Sequence, residues 1–93
     1  MINHIRTTKM FERHLKQLRR KHYDTSKLEA AIRVIATEDH DTLVRQYRWH
    51  ILKGNKAGIN EIHLEADWLL LYEITRNNEM TLLLLDTGSH AIL

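Results

Sequence analysis

Trp68-Leu69-Leu70-Leu71-Tyr72-Glu73-Ile74-Thr75-Arg76-Asn77-Asn78-Glu79-Met80-Thr81-Leu82-Leu83-Leu84-Leu85 is the stretch on which the fold turns. Trp68 to Thr75 is apolar at almost every position, and Met80 to Leu85 closes on four leucines, so both read as central strands covered on both faces. The polar Arg76-Asn77-Asn78-Glu79 between them reads as a hairpin. Trp68, Leu70, Tyr72 and Ile74 share one strand face, which for the last three means core packing.

Two central strands need flanking strands and a layer to cover them. Upstream, Ile59 to Glu65 alternates apolar and polar, Gly54-Asn55-Lys56-Ala57-Gly58 reads as a turn, and Tyr47, Trp49 and Ile51 alternate with Arg48, His50 and Leu52. The polar Glu38-Asp39-His40-Asp41 marks where the period changes. Before it, Leu28, Ala31, Ile32 and Ile35 form one buried helical stripe, opened by Ser26 with Glu29 as a capping box and ending near Glu38. Earlier still, Phe11, Leu15, Leu18 and His22 recur at helical spacing from Lys9 to His22, after a short apolar start at Ile2 to Arg6. Strand, helix, helix and then a meander of strands predict an α+β domain, an antiparallel sheet with two N-terminal helices packed on one face.

A chain of 93 residues has room for one core, so 1–93 is read as a single domain. With 43% hydrophobic and 28% charged residues it has the balance of a soluble globular protein. The absence of cysteine excludes disulfides and thiolate metal sites and favours an intracellular address. Met1-Ile2-Asn3-His4-Ile5-Arg6 lacks the apolar stretch of a signal peptide, and no run approaches the ~20 apolar residues that cross a bilayer, so a cytoplasmic protein without membrane association is expected.

Net charge is only +2, yet residues 1 to 23 carry Arg6, Lys9, Arg13, Lys16, Arg19, Arg20 and Lys21 against Glu12 alone, which leaves +6 at one end. Such an asymmetry suits a polyanion, because Lys and Arg displace counterions from phosphates; a solvated helix face explains it equally well.

Seven histidines ask for a reason. His14 and His22 lie within the first helical pattern and are read as structural, while His4 and His40 are given no role. His50, His63 and His90 stand near turns or strand ends, where side chains can converge on a cleft, and Asp67 precedes the Trp68 strand. Imidazole gives and takes protons near neutral pH. A nuclease without metal needs one group to withdraw the proton of an attacking 2′-hydroxyl and another to protonate the departing 5′-oxygen, with a carboxylate to orient an imidazole. Three histidines and an aspartate could hold zinc, but no pair stands at i and i+4, so neither a metal nor another cofactor is expected.

His50-Ile51-Leu52-Lys53-Gly54, Glu61-Ile62-His63, Asp67-Trp68-Leu69-Leu70-Leu71-Tyr72 and Thr87-Gly88-Ser89-His90 together resemble, in order and spacing, the pattern of the YafQ family within the RelE group of toxins. The resemblance is dense over the second half; the first half matches in plan. It implies a RelE-like fold, ribosome-dependent cleavage of mRNA in the A site of the 70S ribosome, inhibition by a cognate antitoxin, and contact with operator DNA only through the antitoxin complex. On matching residues it implies a catalytic set of His50, His63, Asp67 and His90. His90 is expected to be the acid, His63 or His50 the base, and Asp67 an orienting group or a partner of the base. Arg45, Arg48, Lys53, Lys56 and Trp68 are the expected substrate contacts, and Arg13, Lys16, Arg19, Arg20 and Lys21 the expected ribosome contacts. Gly88 is expected to turn the chain so that His90 projects from the sheet edge. Asn60 and Ala66 stand where the family commonly has arginine and proline, and Leu93 ends the chain where relatives continue into a phenylalanine. Two other readings share the fold: a ParE-like gyrase-directed toxin, which needs no acid-base set, and a catalytically weakened co-repressor that only binds antitoxin, for which the missing aromatic speaks.

Overall fold

The two apolar runs become β4 (Trp68–Arg76) and β5 (Met80–Gly88), joined by a tight turn over residues 77–79 and paired antiparallel from Arg76↔Met80 to Leu69↔Gly88. The computed structural model describes residues 2–90, without the Lys56 side chain. Around this hairpin the chain builds β1 (His4–Thr7), α1 (Lys9–Arg20), α2 (Thr25–Ala36), α3 (His40–Tyr47), β2 (His50–Ile51) and β3 (Asn60–Glu65). A short 3₁₀ turn, Gly54–Lys56, links β2 to β3; it opens on Gly54 at φ 74 and is followed by Gly58 at φ 85, a region where glycine has no steric penalty. The strand order is β1-β5-β4-β3-β2. The α+β class holds.

Three details differ from the sequence reading. The sheet is mixed, because β1 lies parallel to β5, with Ile5 opposite Leu82. Residues 40–47 form a third helix where strand alternation had been read from Tyr47 onward, leaving β2 only two residues long. Asp39, read as part of a polar break, is in fact a helix cap: its carboxylate accepts from Thr42 N at 3.2 Å and from Thr42 Oγ1 at 2.7 Å. Likewise α2 is capped by Asp24, which accepts from Ser26 N at 3.0 Å, and Ser26 lies inside the helix.

The helices bury one stripe each. Phe11, Leu15 and Leu18 of α1, Leu28, Ala31 and Ile35 of α2, and Leu43 of α3 close on Ile62, Trp68, Leu70, Tyr72, Leu82 and Leu84 of the sheet. Each fully buried large apolar side chain in such a core contributes about 1.5–3 kcal/mol. Thr8 ties α1 to the sheet: its hydroxyl accepts from Phe11 N at 3.0 Å as the helix cap and donates to Leu85 O at 2.7 Å. All three helices then end in a left-handed residue that is not glycine, His22 (φ 63), Glu38 (φ 58) and Arg48 (φ 51). His22 thus stands just past the first helix, not within it.

Candidate active site

The active-site geometry follows from strand register. Antiparallel pairing puts His50 of β2 opposite Glu61 of β3, and two-residue alternation puts His63 on the same face as Glu61. Glu61 Oε1 therefore sits 3.0 Å from His50 Nε2 and 3.5 Å from His63 Nε2. The ring of His50 is fixed from behind, since its Nδ1 lies 3.1 Å from Arg48 O and donates to that carbonyl. That carbonyl is placed by the left-handed turn at Arg48 which stops α3, so the unpredicted helix positions the first histidine of the site.

The second half of the site comes from the β4–β5 pairing. Leu69 faces Gly88, and continuing that register two residues outward brings Asp67 against His90. Asp67 Oδ1 accepts from His90 N at 3.1 Å and contacts His90 Nδ1 at 2.7 Å. These two hydrogen bonds, side chain first, hold the Asp67 carboxyl below the usual carboxylate range, so it is ionised at neutral pH. Gly88 is the last residue of β5, at φ 156, and His90 follows two residues beyond the end of the strand.

His63 stands between the two halves. Its ring centroid is 6.1 Å from that of His50 and 6.1 Å from that of His90, so three imidazoles form a row flanked by two carboxylates. Its Nδ1 is buried without a hydrogen-bond partner, which leaves Nε2 as its open nitrogen. Burial lowers the His63 pKa; Glu61 opposes this, while the charges of His50, Arg48 and His90 add to it. His63 is consequently neutral and ready to accept a proton at pH 7. Beside it a cavity of about 230 Å³ is lined by Gln46, Arg48, His63, Leu64, Glu65 and Ala66.

Residues 3–93 match the sequence profile described as a bacterial toxin of type II toxin-antitoxin system, YafQ. The chain belongs to the YafQ family of toxins. It is 29% identical over 83 residues, 89% of this chain and 86% of the relative, to the mRNA interferase toxin YafQ of Escherichia coli strain K12. Among solved structures, a metal-bound toxin from Helicobacter pylori is 38% identical with a TM-score of 0.86, covering 100% of this chain and 99% of the other. The toxin chain of the E. coli DinJ-YafQ toxin-antitoxin complex is 27% identical with a TM-score of 0.83, covering 100% and 98%.

In this YafQ-family toxin His50, His63, Asp67 and His90, named from the sequence, lie in one row. Glu61 was not among the residues named from the sequence, although Glu61-x-His63 on a strand already placed its carboxylate on the histidine face. The expected substrate contacts scatter. Arg48 borders the cavity beside His63. Arg45 pairs with Asp41 one turn back on α3 at 3.2 Å. Lys53 is exposed, and the Lys56 side chain lies outside the described residues. Trp68 is corrected outright: it is 0% exposed, Tyr23 packs edge-on against it at 5.1 Å, and its Nε1 donates to Thr87 Oγ1 at 3.0 Å. A buried indole with its one donor satisfied packs the core beneath the site and does not touch RNA. Arg13, Lys16, Arg19, Arg20 and Lys21 are all exposed.

Proposed function

We propose that this toxin is an endoribonuclease that cuts mRNA in the ribosomal A site by acid-base catalysis carried on its own side chains. The observation that supports this most is the row His50, His63, His90 with Glu61 and Asp67 between and beside the rings. His63 Nε2 takes the proton of the 2′-hydroxyl, whose oxygen attacks the adjacent phosphorus. His90, held by Asp67 so that Nε2 faces outward, gives a proton to the departing 5′-oxygen, and the product carries a cyclic phosphate. Glu61 positions the His50 and His63 rings, and Arg48 lies where it can neutralise charge developing on the phosphoryl oxygens. No step needs a metal. The exposed Arg13, Lys16, Arg19, Arg20 and Lys21 are read as contacts to ribosomal RNA, and Lys53 and Lys56 as contacts to the message.

The E. coli relative is known in complex with DinJ, which supports a cognate antitoxin for this chain. An acidic segment masking the basic and imidazole-bearing surface would inhibit it, and operator DNA would be met only through that complex. Inducing the chain in growing cells and mapping transcript 5′ ends tests the reading: cuts phased to codons and dependent on translation are expected. Uncut message with a DNA-damage response would replace it by a ParE-like gyrase poison; uncut message without one would leave an antitoxin-binding co-repressor.

The H. pylori relative is metal-bound, and we read a metal as a second ligand class for this chain. His50, Glu61 and His63 offer two imidazoles and a carboxylate, a donor set suited to zinc or copper.

A further inference from the structure

The bond between Asp67 and His90 lies outside the sheet that presents it. The last rung between β4 and β5 is Leu69↔Gly88, so Asp67 stands two residues before it on one strand and His90 two residues after it on the other. Both side chains are exposed, and among the described residues no ladder pair beyond that rung fixes their spacing. What closes the ladder at this end is a buried hydroxyl. Thr87 is fully buried, and its Oγ1 accepts from Trp68 Nε1 at 3.0 Å and donates to Leu69 O at 2.8 Å. Both directions are forced, because an indole N–H only donates and a carbonyl only accepts. Trp68 follows Asp67 directly and Thr87 precedes His90 by three residues, so the clamp joins the two segments that carry the pair. It is braced from behind: Thr87 N donates to Asp86 Oδ1 at 2.8 Å, the same oxygen meets His14 Nδ1 of α1, and Tyr23 packs edge-on against Trp68. Valine would fill the same space without a hydroxyl to satisfy, so shape alone does not account for threonine here.

We infer that Thr87 is a positioning residue for cleavage: its hydroxyl sets the spacing of the two chain segments beyond the last rung, so that His90 meets Asp67 and faces the departing oxygen. Thr87 is buried and acts only through the pair it aligns. Misplacing a reacting group by about 1 Å can cost roughly 100-fold in rate, and a bonded supporting shell is what keeps such a group within that tolerance. The effect on cleavage rests on the acid-base reading of His90; the effect on the Asp67–His90 bond stands without it.

Four variants of the whole chain test this. Thr87→Val keeps the shape and removes both hydrogen bonds, whereas Thr87→Ser keeps both and drops a methyl. Trp68→Phe removes the donor from the other side of the clamp, and Ile35→Val, in the core on α2, reports what lost packing alone does. Circular dichroism and thermal melts establish which variants are folded. Two quantities are then read: the rate of cleavage of ribosome-bound message, and the titration midpoint of the Asp67 carboxyl by NMR in the free toxin. The His90 hydrogen bonds hold that midpoint below the usual carboxylate range, so loosening the pair lets it rise. Thr87→Val should lower kcat by about 10- to 100-fold with KM little changed, and raise the Asp67 midpoint. Trp68→Phe should move both in the same direction, while Thr87→Ser and Ile35→Val stay near the parent in both, whatever they lose in stability. A folded Thr87→Val protein with the parent's rate and midpoint overturns the inference, and so does a Thr87→Ser protein as impaired as the valine variant. If Thr87→Val does not fold, Trp68→Phe decides in its place, and parent-like values there overturn the inference. A parent toxin that never cuts overturns the nuclease reading alone; a raised Asp67 midpoint in the valine variant but not in the serine variant still supports the alignment, and equal midpoints overturn it.

Discussion

Two histidine–aspartate pairs lie near the end of β5, alike in chemistry and opposite in setting. His14 of α1 meets Asp86 at 2.5 Å with side chains 15% and 10% exposed, whereas His90 meets Asp67 at 2.7 Å with side chains 60% and 69% exposed. Asp86 also accepts from Thr87 N at 2.8 Å, so the buried pair is a joint between α1 and the strand that carries the site. The exposed pair touches solvent and can exchange protons with a substrate. The sequence reading took His14 as structural and His90 as reactive without naming Asp86, and burial separates a fastening from an exposed pair in the same way.

The largest expected effect lies on the exposed side of this comparison. His90→Ala should lower cleavage of ribosome-bound message by about 100- to 10,000-fold, the usual loss for one acid-base group. Its thermal midpoint and antitoxin binding should be nearly unchanged, since exposed substitutions usually cost within ~0.5 kcal/mol. A normal cleavage rate would remove His90 from the mechanism and erase the contrast. Asp86→Ala should do the reverse. It strands a mostly buried imidazole and a buried backbone N–H, at a cost of about 3 kcal/mol, which in a domain of this size lowers the melting midpoint by roughly 15 °C. Activity per folded molecule should persist; an Asp86→Ala protein as stable as the parent would mean that the joint fastens nothing.

A pH series sharpens the contrast through His63. Its pKa is lowered in the fold, first by burial, so between that lowered value and the unfolded value of ~6.5 the unfolded chain holds more protons. The contribution to stability is therefore complete above ~6.5 and lost as pH falls through that window. The same shift places the acid limb of kcat/KM below ~6.5, and its disappearance in a folded His63→Gln variant with residual activity would assign it. An acid limb above that value would contradict a neutral His63 as base. The smallest effect concerns the helix ends. Left-handed backbone costs a residue other than glycine about 1 kcal/mol. His22→Gly should raise stability by about that amount, read by urea unfolding, with cleavage unaltered; a loss of stability would show that the His22 side chain contributes more than its backbone costs.

Much of this was legible in the chain itself. The apolar runs 68–75 and 80–85 specify the central hairpin, but not full cover on both faces: residues 68–72, Leu82 and Leu84 are buried, whereas Leu83, Leu85 and Ile74 are half-buried and Thr75 is exposed. The stripes Phe11, Leu15, Leu18 and Leu28, Ala31, Ile32, Ile35 specify helices by period alone; all are buried except Ile32, which is half-buried, while His22, read into the first stripe, is exposed. The four matching fragments named His50, His63, Asp67 and His90. Less legible was α3, because its single fully buried residue, Leu43, gives no periodic stripe and its start depends on one capping aspartate.

What only the tertiary structure decided is which groups meet. The hairpin leaves its turn with Tyr72 opposite Leu84, but Leu71 is opposite Asp86, so one extra residue of β5 is taken up between them. Had the register run on unshifted, Asp67 would face Ser89 and His90 would fall on the other side of the sheet. The meeting of Glu61 with His50 likewise depends on the turn that ends α3 and on the pairing of a two-residue strand. Periodicity is a local property, readable from side-chain order, and it determined the elements, their buried faces and the kinds of residue available for chemistry. Register is a sum over turns and bulges whose small energies are settled only when the whole sheet packs, and it alone decided which imidazole stands beside which carboxylate.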